Sequence, residues 1–164
     1  MRYSFSMFGW TLVSGAVLAI GATGCGDDGG ALPSELFGTW DAVSLEAEGM
    51  STPCPGEIDI TATDSVSCGT EATTFNADGT LVVVETTDEL GDPFDWRQEG
   101  TWSTSGNTLT ETVTREGPDA SNLQAVDPPD VSAGTFRVSG STLTVSVTSP
   151  SAPPVTVTGT LQQR

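Results

Sequence analysis

Carboxylates are the main side chains of this sequence that could do acid–base chemistry. The chain has 22 Asp and Glu residues, five Arg, no Lys and no His. Without His or Lys, only carboxylates remain as general acids or bases. No serine lies in a Gly-x-Ser-x-Gly turn or beside a recognisable base. We therefore expect that the protein is not an enzyme.

Half of these carboxylates fall in three polar segments, 48–70, 87–94 and 116–131, which we expect to be long loops. Oxygen-only ligands suit calcium outside the cell. The densest stretch is DELGDPFD at 88–95, in which Asp88, Asp92 and Asp95 are candidate ligands. Ordinary solvated loop charges are the alternative, because the stretch lacks the regular spacing of a known calcium loop. No other cofactor is expected.

A predicted hairpin contains the candidate ligand-binding residues. Its register places Trp102 opposite Glu111 and Gln98 opposite Arg115, on a face that also carries apolar side chains. If this face lines an interior, Trp102 forms a wall there, and Glu111 and Arg115 orient the head group of a ligand. Alternatively, Trp102 is an ordinary core residue and the two charged groups pair or reach water, because a one-residue slip reverses the face.

Two of the three cysteines, Cys54 and Cys68, are candidates for a disulfide. Outside the cytosol such a bond persists, and closing a loop of this length contributes roughly 3 kcal/mol. Two cysteines without any histidine are too few for a structural zinc site. Two buried free thiols are the alternative.

The third cysteine, Cys25, follows a short apolar segment. Arg2 is the only charge before residues 8–20, which are mostly apolar and too short for the roughly 20 residues that span a bilayer. This is the layout of an export signal. The stretch ATGC at 22–25 resembles the lipobox of bacterial lipoproteins, in which the cysteine is acylated and becomes the first mature residue, although Ala22 stands where leucine is commonest. A plain signal or an uncleaved anchor is the alternative.

These features predict a signal peptide at 1–24, a lipidated Cys25 with a flexible tether at 25–37, and a domain at 38–164. Removing the signal takes away Arg2 and none of the 22 acids, so the formal net charge goes from −17 to −18. Such a chain is repelled by nucleic acid and by anionic lipid headgroups. We expect a monomeric protein of the cell envelope, held at the membrane by its acyl chains and not bound to nucleic acid.

The domain shows apolar residues at every second position and almost none at helical spacing. In STLTVSVT, for example, Leu143, Val145 and Val147 alternate with hydroxyl side chains, which is typical of a strand with one buried face. The predicted strands are 38–47, 71–75, 80–86, 95–104, 107–115, 132–138, 142–148 and 155–162.

Tight turns and long connections alternate between these strands. Two-residue loops are predicted at Gly106-Asn107 and Gly140-Ser141, and a slightly longer turn at 76–79. In an antiparallel meander, alternate connections lie at the same end. We therefore predict an all-β fold, an eight-stranded up-and-down antiparallel barrel with tight turns at one end and long acidic loops at the other.

Three stretches resemble the small bacterial lipocalin-like lipoproteins: LFGTWDAVS at 36–44, TFNADGTL at 74–81 and GTWSTSGNTLT at 100–110. Gly38-Thr39-Trp40 matches the Gly-x-Trp motif of the first lipocalin strand, whose indole plugs the closed end. The likeness extends from Leu36 to about Leu161 and implies a barrel that holds, at most, a small hydrophobic ligand. The predicted function is therefore a lipid-anchored envelope barrel that binds such a ligand. The alternative is a non-enzymatic envelope interaction or structural lipoprotein with a packed interior and acidic, calcium-binding loops.

Overall fold

A computed structural model of the chain describes residues 2–4, 32–61, 65–89, 92–148 and 154–164. The predicted signal peptide beyond residue 4, Cys25 and most of the predicted tether lie outside these residues. The described part consists of strands and one 3-10 turn, Ser34–Leu36. The strands are β1 (Arg2–Ser4), β2 (Gly38–Ala47), β3 (Met50–Pro53), β4 (Gly56–Asp59), β5 (Ser65–Cys68), β6 (Thr70–Phe75), β7 (Thr80–Glu89), β8 (Asp92–Ser105), β9 (Thr108–Gly117), β10 (Gln124–Ser139), β11 (Thr142–Thr148) and β12 (Thr156–Gln163). None of the described residues forms a helix that is long and apolar enough to cross a membrane.

Eight strands form a closed antiparallel barrel, which confirms the predicted fold. Strands β6 to β12 pair in chain order, and β2 closes the ring by pairing with both β12 and β6. Alternation of apolar and polar side chains along the strands explains why the sheet closes. Strand β7 buries Leu81 and Val83 on one face, and β11 buries Leu143 and Val145 in the same way. Each strand therefore has one face to bury, and closing the sheet buries all of these faces together without leaving an edge.

The three predicted tight hairpins are confirmed, and the pairings next to each turn are as predicted. Phe75 pairs with Leu81, and Val138 pairs with Leu143. The two-residue loops begin with Gly106 and Gly140, whose φ angles are 58° and 61°. A positive φ at the first loop residue is what a type II′ hairpin turn requires, and glycine adopts it without steric cost.

Aromatic and aliphatic side chains fill the end of the barrel that carries the tight turns. Trp40 is fully buried, and its indole N–H donates to the carbonyl oxygen of Leu36 at 2.8 Å. Trp102 contacts Phe37 and Phe75 edge to face, with ring centroids 6.1 and 5.2 Å away. The segment before β2 thus closes this end, and the chain enters the barrel from this side.

The predicted first long loop contains a small sheet of its own. Strand β4 pairs with β5 in antiparallel fashion, and β1 pairs with β5 in parallel. The predicted disulfide is confirmed: Cys54 and Cys68 are bonded, with their Cα atoms 5.4 Å apart. The backbone N–H of Cys54 also donates to the carbonyl oxygen of Val43 at 3.0 Å, so the bond fastens this small sheet to the barrel wall.

Two other predicted loops are shorter than expected because the strands continue into them. The β7–β8 ladder extends until Glu89 pairs with Asp92. Strands β9 and β10 likewise continue pairing to Glu116 and Gln124, with an irregularity between Ala125 and Asp130. Acidic residues and prolines are uncommon in strands, so the sequence predicts loops in these stretches. In the structure, hydrogen bonds between neighbouring strands extend both hairpins at this end of the barrel.

Candidate functional site

Glu111 is a carboxylate buried inside the barrel. It lies on the inward face of β9, paired with Trp102 on β8 and Ser132 on β10, and only 1% of its surface is exposed. Neither of its carboxylate oxygens accepts a hydrogen bond from the described residues. Burial raises the pKa of Glu111 well above the ordinary range, and repulsion from Glu71 adds to the shift. Because β6 and β9 are not neighbouring strands, this repulsion acts across the barrel interior.

Two further glutamates face inward on β6 and β7. Glu71 is 3% exposed, and one of its carboxylate oxygens accepts a hydrogen bond from the hydroxyl of Thr73 at 3.2 Å. Glu85 pairs directly with Glu71, and burial raises the pKa of Glu85. Like charges placed opposite each other on one face of a sheet destabilise it. This pair therefore has an electrostatic cost that an apolar pair at the same positions would avoid.

Gln98 extends this polar layer along β8. It is 8% exposed, and its side-chain carbonyl oxygen has no hydrogen-bond donor among the described residues. Gln98 pairs with Glu116 on β9, so Glu116 faces inward as well. Asp130 on β10 pairs with buried Val113 and therefore also lies on the inward face. The pKa of Asp130 is raised by burial and, secondly, by the charge of Glu116. We call the inward-facing side chains of Glu71, Thr73, Glu85, Gln98, Glu111, Glu116 and Asp130 the polar layer.

The predicted pairing of Gln98 with Arg115 is wrong, because β9 contains a bulge. The register shifts between Glu99 and Gly100, so that Arg115 pairs with Glu99 instead. Arg115 therefore lies on the outer face, 53% exposed, with its guanidinium 3.6 Å from the Glu99 carboxylate. A Cβ atom at Gly100 would collide with the carbonyl oxygen of Thr112, which explains why the bulge lies opposite a glycine.

Four arginines whose side chains the structure describes lie on the outside of the barrel. Arg97 pairs with Glu99 at 2.8 Å and Arg164 with Asp41 at 2.7 Å, both on outward-facing positions. Arg115 and Arg137 also point outward by register and are exposed. None of these four arginines faces the polar layer, and the chain has no lysine or histidine.

Trp102 is packed among other side chains and does not line an open cavity, as a ligand-binding wall would. It is 4% exposed, packs against the closed end, and donates its indole N–H to the carbonyl oxygen of Asn76 at 3.1 Å. It nevertheless occupies the position beside Glu111 that the sequence predicts. Trp96 pairs with Glu85 nearer the other end and shares the inward face with it.

The candidate calcium ligands lie on the extended β7–β8 hairpin. The side chains of Asp88 and Asp92 lie outside the described residues. The carboxylate of Asp95 accepts a hydrogen bond from the hydroxyl of Thr86 at 2.6 Å. Within the described parts of the chain, no three Asp, Glu or Cys side chains are grouped so that they could hold a metal ion. The calcium site stays a prediction, as does the lipidation of Cys25.

A shallow groove of about 330 Å³ also lies between β2 and β8 on the outer surface. Its two arginines, Arg97 and Arg164, are already paired with Glu99 and Asp41. The arginines of the groove are thus already satisfied, whereas the polar layer holds the unsatisfied oxygens of Glu111 and Gln98. We centre the candidate site on the polar layer.

Sequence reasoning identified Glu111 but missed Glu71 and Glu85. The signal was present, since EATTF places Glu71 on the face of buried Phe75, and LVVVE places Glu85 on the face of Leu81. These residues stand at the ends of predicted strands, where a carboxylate normally reaches water. Their burial depends on the shape of the closed barrel.

Comparison with known proteins gives no match to a family model, to a curated protein or to a solved structure.

Proposed function

We propose that this chain is a lipid-anchored, lipocalin-like protein of the cell envelope that binds a small, partly apolar molecule inside its barrel. The observation that carries this proposal is the pair of buried, unsatisfied acceptors Glu111 and Gln98. Leaving a buried polar group without a partner costs about 1–3 kcal/mol. Such groups are rare in folded proteins and call for an explanation. A bound molecule that supplies the missing donors is the explanation we favour.

The distribution of side chains supports a ligand in only one half of the barrel. The closed end is filled by apolar groups, among them Trp40, Phe75, Leu143 and Leu161. The polar layer begins beyond this plug. A ligand that contacts both regions needs an apolar part against the plug and a polar part against the polar layer. This proposal therefore differs from the wholly hydrophobic ligand that the sequence predicts.

The position of the N-terminal segment supports the proposed anchor. Leu32, Leu36 and Phe37 lie at the closed end, with Leu32 against Gly79 of the first tight turn. A tether leading from here to an acylated Cys25 would hold the closed end near the membrane. The opposite end, where the polar layer lies, would then point away from the bilayer and towards solutes.

A second candidate is an interaction lipoprotein with a packed interior. The plug of large side chains at the closed end favours it, since these groups already fill the positions that an apolar ligand would occupy. In this case the acidic loops would meet a basic partner or calcium. The two candidates differ in whether the barrel holds a small molecule.

Native mass spectrometry of the full, processed protein tests the proposal. The protein is isolated from the envelope of the cells that make it, kept in a neutral detergent, and measured before and after organic extraction. We expect an added mass of a small molecule that extraction removes and that Glu111→Leu no longer retains. Glu46→Gln on the outer face is the matched control and should retain it. A bare protein mass in both samples would favour the packed interaction protein.

A further inference from the structure

We infer that the ligand of this barrel is a small organic cation, an amine or ammonium compound with an apolar body, bound by the carboxylate of Glu111 within the polar layer. This inference rests on the proposed function and names its ligand class. It concerns a site formed by Glu71, Glu85, Glu111 and Gln98, whose side chains share the inward face of the barrel.

The charges of the interior exclude most other ligands. The polar layer holds five carboxyl groups, whereas Arg97, Arg115, Arg137 and Arg164 lie on the outer surface. An anionic ligand would be repelled by these groups at short range and low dielectric. A neutral hydrocarbon would leave the oxygens of Glu111 and Gln98 without donors. A cation supplies both a compensating charge and, as a primary or secondary amine, the missing N–H groups.

Protonation is the alternative way to neutralise the layer, and it competes with the ligand. Burial raises the pKa values of Glu111 and Glu85, so each holds its proton at a higher pH than an exposed glutamic acid does. A proton removes the charge of Glu111 but adds a donor that also needs an acceptor. An ammonium group can displace that proton and satisfy the carboxylate oxygens directly.

The surroundings of Glu111 favour an organic cation over a metal ion. Leu109 and Val113 flank it on β9, and both are 2% exposed. Trp102 lies beside it on β8 and is itself buried. The described residues also lack a cluster of three metal-ligating side chains. The site therefore offers one deep carboxylate with apolar neighbours, which fits an amine attached to a hydrocarbon skeleton.

Isothermal titration calorimetry with matched probes tests this inference on the full, processed protein in neutral detergent. The cationic probes are hexylamine and 2-phenylethylamine. The controls are the alcohols and carboxylates of similar skeletons: 1-hexanol, 2-phenylethanol, hexanoate and phenylacetate. Near neutral pH and at physiological salt, we expect at least one amine to bind about tenfold more tightly than its alcohol, which is about 1.4 kcal/mol. We expect the carboxylates not to bind.

Two variants locate the binding. Glu111→Gln should weaken amine binding about tenfold and leave alcohol binding unchanged, because it removes the charge but keeps the shape. Glu46→Gln removes the same charge from an exposed position on β2 and should leave amine binding within about twofold. If Glu111→Gln does not fold, as judged by circular dichroism, then Glu85→Gln, at a less buried position on β7, serves instead and should also weaken amine binding.

The outcomes separate this inference from the proposed function. If alcohols or carboxylates bind as tightly as the amines, the barrel binds small molecules but the cationic class is wrong. If Glu46→Gln weakens the amines as much as the inward variants do, binding is a surface-charge effect and the inference fails. If no probe binds and native mass spectrometry shows only the bare protein, both proposals fail.

Discussion

Glu111 provides a test of the polar layer that needs no ligand. Its pKa is raised in the folded barrel and ordinary, near 4.5, in the unfolded chain. The folded state therefore binds more protons between these two values, and its free energy of unfolding falls as pH rises through this window. Glu71, Glu85, Glu116 and Asp130 face the same interior and are present in both proteins compared below.

We expect Glu111→Gln to be more stable than the wild type by about 1–3 kcal/mol at about pH 8, because its amide has no charge to bury. At about pH 3, where Glu111 is protonated in both states, the difference should vanish. Thermal unfolding of both proteins at the two pH values measures this. Glu46→Gln is the control and should show no such dependence on pH. A variant less stable than the wild type at the higher pH would contradict the burial of an unpaired carboxylate.

At the scale of residues, the sequence predicts side-chain faces only as far as the strand stays regular. The alternation around Glu111 is unbroken, and its inward position is one of the two alternatives that the sequence leaves open. Arg115 lies beyond Thr114, the extra residue of the bulge, and every side chain past that point is reversed. The hint was Gly100, because a glycine inside a strand often marks a bulge. The atom that a side chain at position 100 would meet, the carbonyl oxygen of Thr112, can be identified only once the pairing of β8 with β9 is known.

Gly100 allows the β8–β9 bulge to be tested at the scale of elements. We expect Gly100→Ala to lose about 1–3 kcal/mol of stability, the usual cost of overpacking, because the new methyl group meets the Thr112 carbonyl oxygen. Gly140→Ala is the control. It has no atom within 4 Å of the added carbon and is strained only by its φ of 61°, so it should cost about 1 kcal/mol. Urea unfolding measures both losses of stability. If Gly100→Ala and Gly140→Ala lose the same amount, the nearby Thr112 carbonyl does not restrict which residue can stand at position 100.

The disulfide between Cys54 and Cys68 should stabilise the protein through the segment that it closes. The sequence separation is 14, for which loop closure contributes about 3 kcal/mol. We expect replacement of both cysteines by serine to lower the free energy of unfolding by about 2–3 kcal/mol and to expose residues 48–70 to proteases before the barrel unfolds. Urea unfolding and limited proteolysis measure these two effects. Cleavage in the barrel strands at the same rate would mean that the bond supports the whole fold.

The barrel was predictable at this scale because two independent signals agree. Alternation marks each strand, and glycine-containing turns fix the registers of three hairpins, such as Phe136 with Val145. The three short strands β3, β4 and β5 were not predicted, since each has only four residues and no clear alternation. The extension of β7 and β8 past Thr86 was missed because acidic residues and Pro93 interrupt the pattern.

The charge of the whole molecule sets how it can attach to a membrane. The chain carries a formal net charge of −17, and no lysine offsets it. Anionic headgroups repel such a surface, so electrostatic adsorption opposes attachment. A single acyl chain binds a membrane only marginally, whereas two anchor it stably. If the protein is membrane-bound, its attachment should therefore depend on acylation and not on salt.

We expect Cys25→Ala to abolish incorporation of labelled palmitate and to move the protein from the membrane to the soluble fraction, because no other residue offers the acylated thiol. The barrel should stay folded, since the strands that close it lie between Gly38 and Gln163. Fractionation, palmitate labelling and thermal unfolding measure these effects. The double serine variant of Cys54 and Cys68 is the control and should keep both label and membrane attachment. A wild-type protein released from membranes by concentrated salt would contradict an acyl anchor, and a Cys25→Ala protein that fails to fold would contradict a tether that serves only for attachment.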